Sequence, residues 1–472
     1  MIDKQEVLEF AREFSLDPHV IEKDYVLGWI LAGIASHDGL RSTWIFKGGT
    51  CLKKCYFETY RFSEDLDFTL TDPAHINAEF LGETFPTIAD WVYDQAGIEI
   101  PQDTLRFKVY KNSHGGESVE GRIGYRGPLQ RRGDAPRIKL DLTANEILVL
   151  EPSARAVHHP YSDGPAEGIR ISCYSFEEVF AEKVRALAER ERPRDLYDVV
   201  HLHRHDELTP DREIVFNTLE KKCSFKGIPM PTFAALEAQP ARAELEAEWE
   251  NMLGHQLPAL PPFEQFWNEL PAVFDWLQGA AAKVAKLSVA VGNNIDETWR
   301  PPSMAQAWHT TAPLEIIRFA AANRLCVTLA YQGSTRLIEP YSLRRTRAGN
   351  LLLYAVKHGT GEIRAYRVDR IHGAEVSQEA FIPKYAVELT PAGSMAAPPV
   401  QNRLTLGLPY RSRGTRTRRT VSSGPRYVIE CPYCGKKFTR KKRGTRLNKH
   451  NDQYGNRCSG SFRTGTLVDT IY

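Results

Sequence analysis

The sequence predicts a multidomain α+β protein. Its 472 residues exceed what one ordinary hydrophobic core accommodates, so two or three domains are expected. Segments with helical periodicity and segments typical of strands alternate in the first half, and a short region with cysteines and a histidine closes the chain. With 42% hydrophobic and 25% charged residues, the composition indicates a globular protein.

Residues 1–279 are predicted to form one domain. Apolar residues recur at helical spacing over residues 1–35. Three strands are expected, the first of which enters a glycine turn: TWIFKGGT (43–50), SEDLDFTL (63–70) and RIKLDLTA (137–144). Helices are expected at 52–57, at 174–190, from residue 194 to 203, and over 211–278, where PALPPF interrupts the pattern.

The remaining chain is predicted to contain two smaller domains and two linkers. Residues 313–390 begin with a helix and continue as closely spaced short strands, which indicates a small barrel or sandwich. The segments at 280–312 and 391–425 are rich in loop-forming residues, and the second is also basic, so both are expected to be linkers. Residues 426–472 contain three cysteines and one histidine at a spacing typical of metal ligands and are predicted to form a zinc-binding module.

Charge and hydropathy bear on location and partners. No run of about 18 apolar residues occurs, and the N-terminus lacks an apolar signal segment, so a cytoplasmic protein without membrane contact is expected. Residues 401–472 contain 17 Lys and Arg against 3 Asp and Glu, although the whole chain has a net charge of +2. Such a basic tail predicts contact with nucleic acid, with a solvated tail as the alternative.

The first candidate site follows the strand at residues 43–50. Gly48 and Gly49 allow a phosphate to approach the backbone closely, and the Thr50 hydroxyl is a candidate phosphate ligand. Asp65 and Asp67 are two residues apart on a predicted strand, so their side chains point to the same face. Two carboxylates on one face form an oxygen-rich site suited to Mg²⁺.

Two later segments supply further candidates. Asp141 is a candidate third carboxylate for a site that holds two metal ions, although by itself it reads more simply as a surface carboxylate. Lys183 lies in or beside the apolar stripe of its helix. Two explanations are equally good: the lysine faces a bound anion, or it is a surface lysine whose aliphatic stem covers apolar residues while its ammonium group reaches solvent. Asp195 and Asp198 lie three apart on the next helix, where a cap or an arginine salt bridge is the alternative.

Six segments in this order resemble the AbiEii/AbiGii-type nucleotidyltransferases, toxin components of bacterial toxin–antitoxin and abortive-infection systems. They are IEKDYVL (21–27), FKGGTCLKKCY (46–56), RFSEDLDFTL (61–70), IKLDLT (138–143), SFEEVFAEKVRAL (175–187) and RPRDLYDVV (192–200). The resemblance covers about residues 15–275. It implies a core like that of DNA polymerase β with added helices.

The resemblance also implies a reaction and its site. The nucleotide would be bound by Lys47, Gly48, Gly49, Thr50 and Lys183, magnesium by Asp65, Asp67 and Asp141, and Asp198 would act in the final motif as a candidate base. The implied reaction transfers a nucleotide from an NTP to RNA, with the tRNA 3′ end as the expected acceptor and an antitoxin as protein partner. Two alternatives stay open: nucleotide transfer onto a protein, and a nucleic-acid-binding regulator with an inactive core.

Residues 313–376 resemble a WYL domain, a small sensor module that binds nucleic acid or nucleotide ligands. The matching segments are Val327–Tyr331, Arg336–Pro340 and Arg364–Ile371, while Leu351–Leu353 stands where Trp-Tyr-Leu is expected. Arg364, Arg367 and Arg370 are candidate contacts to that ligand. Alternation along a strand would instead turn some of them to solvent.

The C-terminal region contains a metal-ligand pattern. Cys431 and Cys434 form a Cys-x-x-Cys pair, followed by His450 and Cys458. Four such ligands suit a closed, tetrahedral and therefore structural Zn²⁺ site, with a redox-active pair as the alternative. The basic run Lys436–Arg443 between the ligands is typical of nucleic-acid-binding modules.

Overall fold

A computed structural model of the chain has two compact units, Met1–Leu408 and Pro409–Tyr472. It describes residues 1–14, 16–57, 60–111, 115–131, 133–204, 210–238, 241–280, 286–287, 294–299, 313–389, 426–440, 445–447, 450, 457–459, 464 and 466–471. All of the predicted linker at 391–425 and most of that at 280–312 lie outside the described residues.

A seven-stranded mixed sheet lies at the centre of the first unit. Its strands are β1 (Trp44–Lys47), β2 (Asp65–Leu70), β3 (Arg106–Lys111), β4 (Glu117–Gly124), β5 (Arg137–Thr143), β6 (Ser153–Val157) and β7 (Ile169–Cys173). They follow the order β3-β4-β5-β2-β1-β7-β6 across the sheet. Since β2 pairs in parallel with β5 and antiparallel with β1, the aspartate-bearing strands are direct neighbours.

Twelve α-helices among the described residues 1–280 surround this sheet. They are α1 (Lys4–Glu13), α2 (Pro18–Ser36), α3 (Asp38–Arg41), α4 (Gly48–Cys51), α5 (Ala78–Ala96), α6 (Phe176–Arg190), α7 (Pro193–His203), α8 (Arg212–Lys226), α9 (Phe233–Ala238), α10 (Ala241–Ala247), α11 (Trp249–Leu253) and α12 (Phe263–Leu277). Short 3₁₀ turns at Pro73–His75, Gln102–Thr104 and Gly254–Gln256 join some of these elements.

The second helix, α2, is the central helix of this core. It begins where Asp17 accepts a hydrogen bond from the backbone N–H of His19 and Pro18 takes the first helical position. Side chains on all faces of the helix are buried, and one of them is the carboxylate of Asp24. Asp24 accepts a 2.6 Å hydrogen bond from Lys54. Asp24 and Lys54 can therefore both be buried, because each supplies the opposite charge for the other.

The chain differs from prediction around the glycine turn. Gly48 begins α4 directly, and a π-helix at Leu52–Tyr56 replaces the helix predicted at 52–57. A π-helical turn places five residues in a wider turn and is common near functional sites. The helix α5 and the strands β3 and β4 were not predicted, because their segments carry no motif and only moderate periodicity.

The β-rich part of the first unit spans α13 and five strands. These elements are α13 (Leu314–Ala322), β8 (Leu325–Tyr331), β9 (Ser334–Arg345), β10 (Leu351–Lys357), β11 (Glu362–Arg367) and β12 (Ile371–Ala380). The strands form one antiparallel sheet in the order β11-β10-β9-β8-β12, and α13 packs against β8, β9 and β12. The predicted helix followed by short strands is thereby confirmed.

The second unit is a small antiparallel sheet. Its strands β13 (Arg426–Glu430), β14 (Lys437–Arg440) and β15 (Thr466–Ile471) have the order β14-β13-β15. The fold class predicted from the sequence, a multidomain α+β protein with a β-rich part and a small cysteine- and histidine-containing module, is confirmed. Across the described part of the chain, no helix has the length and apolar character needed to cross a bilayer.

Candidate active site

Three carboxylates meet where β2 and β5 lie side by side. Asp65 and Asp67 share one face of β2, as their spacing predicts, and the parallel register places Asp67 directly opposite Asp141. All three side chains line one cavity of about 620 Å³. Asp141 therefore lies beside the other two carboxylates, with its side chain partly exposed.

The glycine turn approaches this cluster from β1. Gly48 has a φ of +79°, and a Cβ atom there would lie 2.2 Å from Asp67 Oδ2, so both the backbone conformation and the space require glycine. Gly49 leaves room for Arg61, whose Nη2 would lie 2.7 Å from an added Cβ. The two glycines thus allow the backbone to pass directly beside the carboxylates.

Thr50 differs from its predicted role. Its side chain is buried, and its hydroxyl donates a hydrogen bond to the backbone carbonyl of Asp65. The hydroxyl therefore fixes α4 against β2, whereas the expectation was a contact to phosphate. The physical reason is that α4 begins at Gly48, which turns residue 50 into the sheet.

Cations line the same cavity as the carboxylates. Its wall includes Lys47, Lys183, Arg190, Arg192 and Arg194. Lys47 Nζ lies 3.4 Å from Glu182, and Lys183 Nζ lies 2.7 Å from Asp198 Oδ2, so both ammonium groups are held by carboxylates. Lys183 is only 7% exposed, which excludes a snorkelling surface lysine.

The carboxylate cluster is electrostatically unfavourable without a cation. Burial, and then the charges of Asp141 and Asp65, raise the pKa of Asp67 to about 6. Burial also raises the pKa of Asp65. On the outer side, Lys139 donates a 2.7 Å hydrogen bond to Asp141. Acidic side chains with raised pKa values that face one cavity are typical of a site for a divalent cation.

Asp198 lies behind the cavity wall. It is fully buried and accepts hydrogen bonds from Arg61 Nε at 2.7 Å, from Arg61 Nη2 at 2.8 Å and from the Tyr60 hydroxyl. Its ion pairs with Arg61 and Lys183 outweigh burial, which raises its pKa, and keep that pKa well below the usual range. A general base needs an accessible carboxylate with a higher pKa, so we revise the predicted base to a residue that positions Lys183 and Arg61.

Sequence reasoning missed Arg61, Arg190 and Glu182. Arg61 lines the cavity and pairs with Asp198, Glu182 holds Lys47, and Arg190 pairs with Asp195 at 2.7 Å. All three belong to segments that the motifs already contained or adjoined. In the sequence, these residues are recognisable only as charged residues in or next to the motifs. Their ion-pair partners become visible only in the folded structure.

The three arginines of the β-rich part do not form one patch. Arg364 and Arg367 lie three residues apart on β11, so they point to opposite faces of the sheet. Arg364 pairs with Glu362, and Arg367 donates to Asp369 at 2.8 Å and to Asn350 at 3.0 Å. Arg370 follows β11 in a 3₁₀ turn and is exposed.

The second unit brings the four predicted metal ligands together. The ligand atoms of Cys431, Cys434, His450 and Cys458 all lie within 4.8 Å of one another, and the sulfur atoms of Cys431 and Cys458 are 3.8 Å apart. Backbone hydrogen bonds from Tyr433 and Cys434 outweigh burial and lower the pKa of the Cys431 thiol to about 6. Three thiols and an imidazole at this spacing can hold a metal ion.

Two parts of the first unit match known protein families. Residues 29–277 match the model of a family described as "Nucleotidyl transferase AbiEii toxin, Type IV TA system", and residues 313–376 match the WYL domain. No curated protein matches the chain.

Three solved structures resemble parts of the chain. The Helicobacter pylori protein JHP933 is 16% identical over 56% of this chain and 94% of its own, with a TM-score of 0.36. MenT4, a nucleotidyltransferase toxin from Mycobacterium tuberculosis, is 20% identical over 60% of this chain and 100% of its own, with a TM-score of 0.35. The proteasome accessory factor PafBC of Arthrobacter aurescens is 14% identical over 58% of this chain and 62% of its own, with a TM-score of 0.14.

The AbiEii match covers more than half of the 472 residues and contains every residue of the carboxylate cluster and the glycine turn. The chain belongs to the AbiEii family of nucleotidyltransferase toxins.

Proposed function

We propose that the protein transfers a nucleotide from an NTP to RNA, with a tRNA 3′ end as the acceptor, and that the reaction depends on Mg²⁺. The observation that carries this proposal is that one cavity is lined by both carboxylates and cations, which are called here its negative and positive poles. Asp65, Asp67 and Asp141 form the negative pole, and Lys47 and Lys183 belong to the positive one. A triphosphate that carries a cation needs both poles, because its phosphates are negative and its cation positive.

Each group at the positive pole has a defined task in the proposal. Lys183, held by Asp198, and Lys47, held by Glu182, contact the β- and γ-phosphates. Gly48 and Gly49 let the phosphates approach the backbone. Because both lysines are already oriented by buried carboxylates, little side-chain freedom is lost when the triphosphate binds.

The negative pole holds the cation and receives the acceptor. Asp65, Asp67 and Asp141 supply oxygen ligands, and the raised pKa of Asp67 supports a cation there. A bound Mg²⁺ would polarise the α-phosphate and neutralise the leaving pyrophosphate. The acceptor hydroxyl attacks the α-phosphorus, pyrophosphate leaves, and the hydroxyl proton passes to the carboxylate cluster, where Lys139 orients Asp141.

RNA is favoured as acceptor by the charge of the chain. Arg192 and Arg194 lie at the wall of the cavity, and residues 401–472 carry 17 Lys and Arg against 3 Asp and Glu. Basic segments supply affinity for a phosphate backbone. The WYL-like part is proposed to bind a nucleic acid or nucleotide, and the family description implies an antitoxin partner.

We further propose that Cys431, Cys434, His450 and Cys458 hold a structural Zn²⁺. Four protein ligands close a tetrahedral site, so no position is left for catalysis. The ordered module would present the basic residues Lys436 and Lys437 on one surface. Its task in the proposed function is to recruit RNA.

The test of the transferase proposal is incubation with each labelled NTP, Mg²⁺ and total RNA, followed by separation of RNA from protein. We expect label in RNA of tRNA size, and a loss of at least about a hundredfold for Asp65→Asn and Asp67→Asn. The matched control is Asp94→Asn, an exposed aspartate on α5. Label found only in protein would replace RNA by a protein acceptor, and equal rates in all variants would end the assignment of the site.

A further inference from the structure

A second cluster of cysteines lies in the core of the first unit. The Sγ atoms of Cys51, Cys55 and Cys173 all lie within 4.8 Å of one another, and all three side chains are fully buried. We propose that they bind a thiophilic divalent cation of the zinc class. This site is separate from the carboxylate cluster and does not depend on the proposed transfer reaction.

Three different elements bring the thiols together. Cys51 ends α4 and Cys55 lies four residues later in the π-helix, so the two side chains lie on one face of a continuous helical segment. Cys173 ends β7, whose parallel register with β1 sets it opposite Phe46. Ligands on a helical segment and an adjacent strand are rigidly placed, which favours metal binding over a chance approach of side chains.

The spacing fits a metal–thiolate centre. A Zn–S bond is about 2.3 Å, so sulfur atoms that share one zinc ion lie roughly 4 Å apart. In the second unit, the sulfur atoms of Cys431 and Cys458 are 3.8 Å apart. A fourth donor lies beside the core cluster, because the backbone carbonyl of Ser153 accepts a 3.4 Å hydrogen bond from Cys173.

The charge of the surroundings fits a divalent cation. Three thiolates and one divalent cation carry a net charge of −1, and the guanidinium of Arg155 supplies the opposite charge next to them. Arg155 Nε donates a 3.2 Å hydrogen bond to the backbone carbonyl of Cys55, which places its charge beside the cluster.

The location of the cluster connects it to the glycine turn. Cys51 follows Gly48, Gly49 and Thr50 within the same short helix, and Cys173 precedes Tyr174, which lines the cavity. A cation bound by the three thiols would tie α4 to β7. Loading is therefore expected to stabilise the first unit, because a ligand that binds only the folded state shifts unfolding.

The experiment uses the full chain with Cys431→Ser and Cys434→Ser, which removes two ligands of the C-terminal cluster. Protein from cells grown with added zinc is analysed for metal, and Cd²⁺ binding is followed by the ultraviolet absorption of cadmium thiolates. We expect about one equivalent of zinc in this background and its loss when Cys51→Ala, Cys55→Ala or Cys173→Ala is added. The matched control is Cys223→Ala, another buried thiol, which should keep the metal.

A second measurement needs no change in the core. In the same background, alkylation of each cysteine is followed by mass spectrometry in mild denaturant, with zinc and after chelation. Zinc should slow alkylation of Cys51, Cys55 and Cys173 at least about tenfold relative to Cys223 and Cys326. Equal rates with and without zinc, or a background protein without bound zinc or cadmium, would overturn the proposal even if the alanine variants failed to fold.

Discussion

At the scale of single residues, the charge of Asp67 is disfavoured by its surroundings. Burial and two neighbouring carboxylates raise its pKa to about 6, while Lys47 and Lys183 offset this only in part. Gly48 brings the backbone to within contact of the same carboxylate. Groups whose charge is unfavourable in the free protein are common where a ligand later supplies the opposite charge.

Asp67→Asn should therefore stabilise the metal-free protein. The folded-state pKa of about 6 lies above the ordinary aspartate pKa of 3.8, so the native state holds the proton more tightly than the unfolded chain. The free energy of unfolding should fall as pH rises from about 4 to 6, and the penalty is complete above that window. With EDTA at about pH 8, we expect Asp67→Asn to raise the free energy of unfolding by about 1–2 kcal/mol in urea titrations.

The control for this effect is Asp94→Asn, which removes an exposed carboxylate from α5. Its free energy of unfolding should change by less than about 0.5 kcal/mol. With saturating Mg²⁺ and NTP, the order of wild type and Asp67→Asn should reverse. An Asp67→Asn protein that is less stable than wild type in EDTA at high pH would contradict the electrostatic explanation.

Gly48 is the residue at which the smallest change should have a large effect. Gly48→Ala forces a non-glycine residue to a φ of +79° and puts its methyl group 2.2 Å from Asp67 Oδ2. We expect a loss of about 1–3 kcal/mol in unfolding free energy from backbone strain, and loss of NTP binding because the turn shifts.

The matched change is Gly82→Ala on α5, where an added methyl group meets no described heavy atom within 4 Å. There, the higher helix propensity of alanine should stabilise the protein by about 0.5–1 kcal/mol. Equilibrium unfolding and fluorescent-nucleotide titration measure both variants. Similar behaviour of the two alanine proteins would show that the glycine turn is not constrained.

At the scale of elements, α6 and α7 are joined to the segment before β2 by one buried charge network. Lys183 on α6 and Arg61 both pair with Asp198 on α7. A period-2 pattern predicted that Asp65 and Asp67 share a face, because this depends on one strand only. The contact between Arg61 and Asp198 joins residues 137 positions apart, so no local pattern could predict it.

Asp198→Asn should destabilise the protein strongly. The change leaves two buried cations, Arg61 and Lys183, without their shared counter-charge, and breaking such a network costs about 3–5 kcal/mol. Tyr60→Phe removes one hydrogen bond from the same carboxylate but no charge, so it should cost only about 1 kcal/mol. A stable Asp198→Asn protein that binds NTP normally but is inactive would restore the role of general base to Asp198.

At the scale of the whole molecule, the WYL-like part packs on the helix that carries Asp198. The Tyr197 hydroxyl on α7 donates a 2.8 Å hydrogen bond to Asn323, at the end of α13, and both side chains are fully buried. Arg204, the residue that follows α7, pairs with Glu269 and donates to the carbonyl of Ala322 at 3.1 Å. The β-rich part thus contacts α7, the helix that carries Asp198 of the candidate site.

Composition and periodicity predicted that the β-rich part begins near residue 313, but they did not predict this contact. The interface includes contacts of single polar residues, such as that between Tyr197 on α7 and Asn323 after α13. A buried tyrosine or asparagine has many candidate partners in a chain of this length, and the sequence alone does not rank them. The same limit applies to Cys173, which joins Cys51 and Cys55 only because β7 lies next to β1.

A double-mutant cycle should detect the coupling between the two parts. Tyr197→Phe and Asn323→Ala each remove one side of the buried hydrogen bond, and their effects should not add. We expect a coupling energy of about 1 kcal/mol in the free energy of unfolding. The control pair is Tyr197→Phe with Gly82→Ala on α5, which shares no contact with it and should be additive. Additivity of the first pair would show that the contact does not couple the two parts.

Removal of metal by a chelator should unfold the second unit and leave the first unit folded. The second unit, Pro409–Tyr472, has a small apolar cluster of Ile429, Cys431, Leu447 and Cys458, so its folding free energy must come mainly from the proposed zinc site. The first unit has an extensive core that does not need those ligands. A strong chelator should therefore increase hydrogen exchange in β13 and β15 by at least about tenfold while α2 stays protected.

The affinity for nucleic acid tests whether the second unit recruits RNA. Cys434→Ser should release the C-terminal metal and weaken binding to a labelled tRNA by about tenfold or more at low salt, because the basic residues around the ligands are no longer held on one surface. Cys326→Ser, at a buried thiol of the β-rich part, should leave tRNA affinity unchanged. Total zinc should fall by about one equivalent in Cys434→Ser. If zinc is lost while tRNA affinity is unchanged, the metal is structural but the module does not recruit RNA.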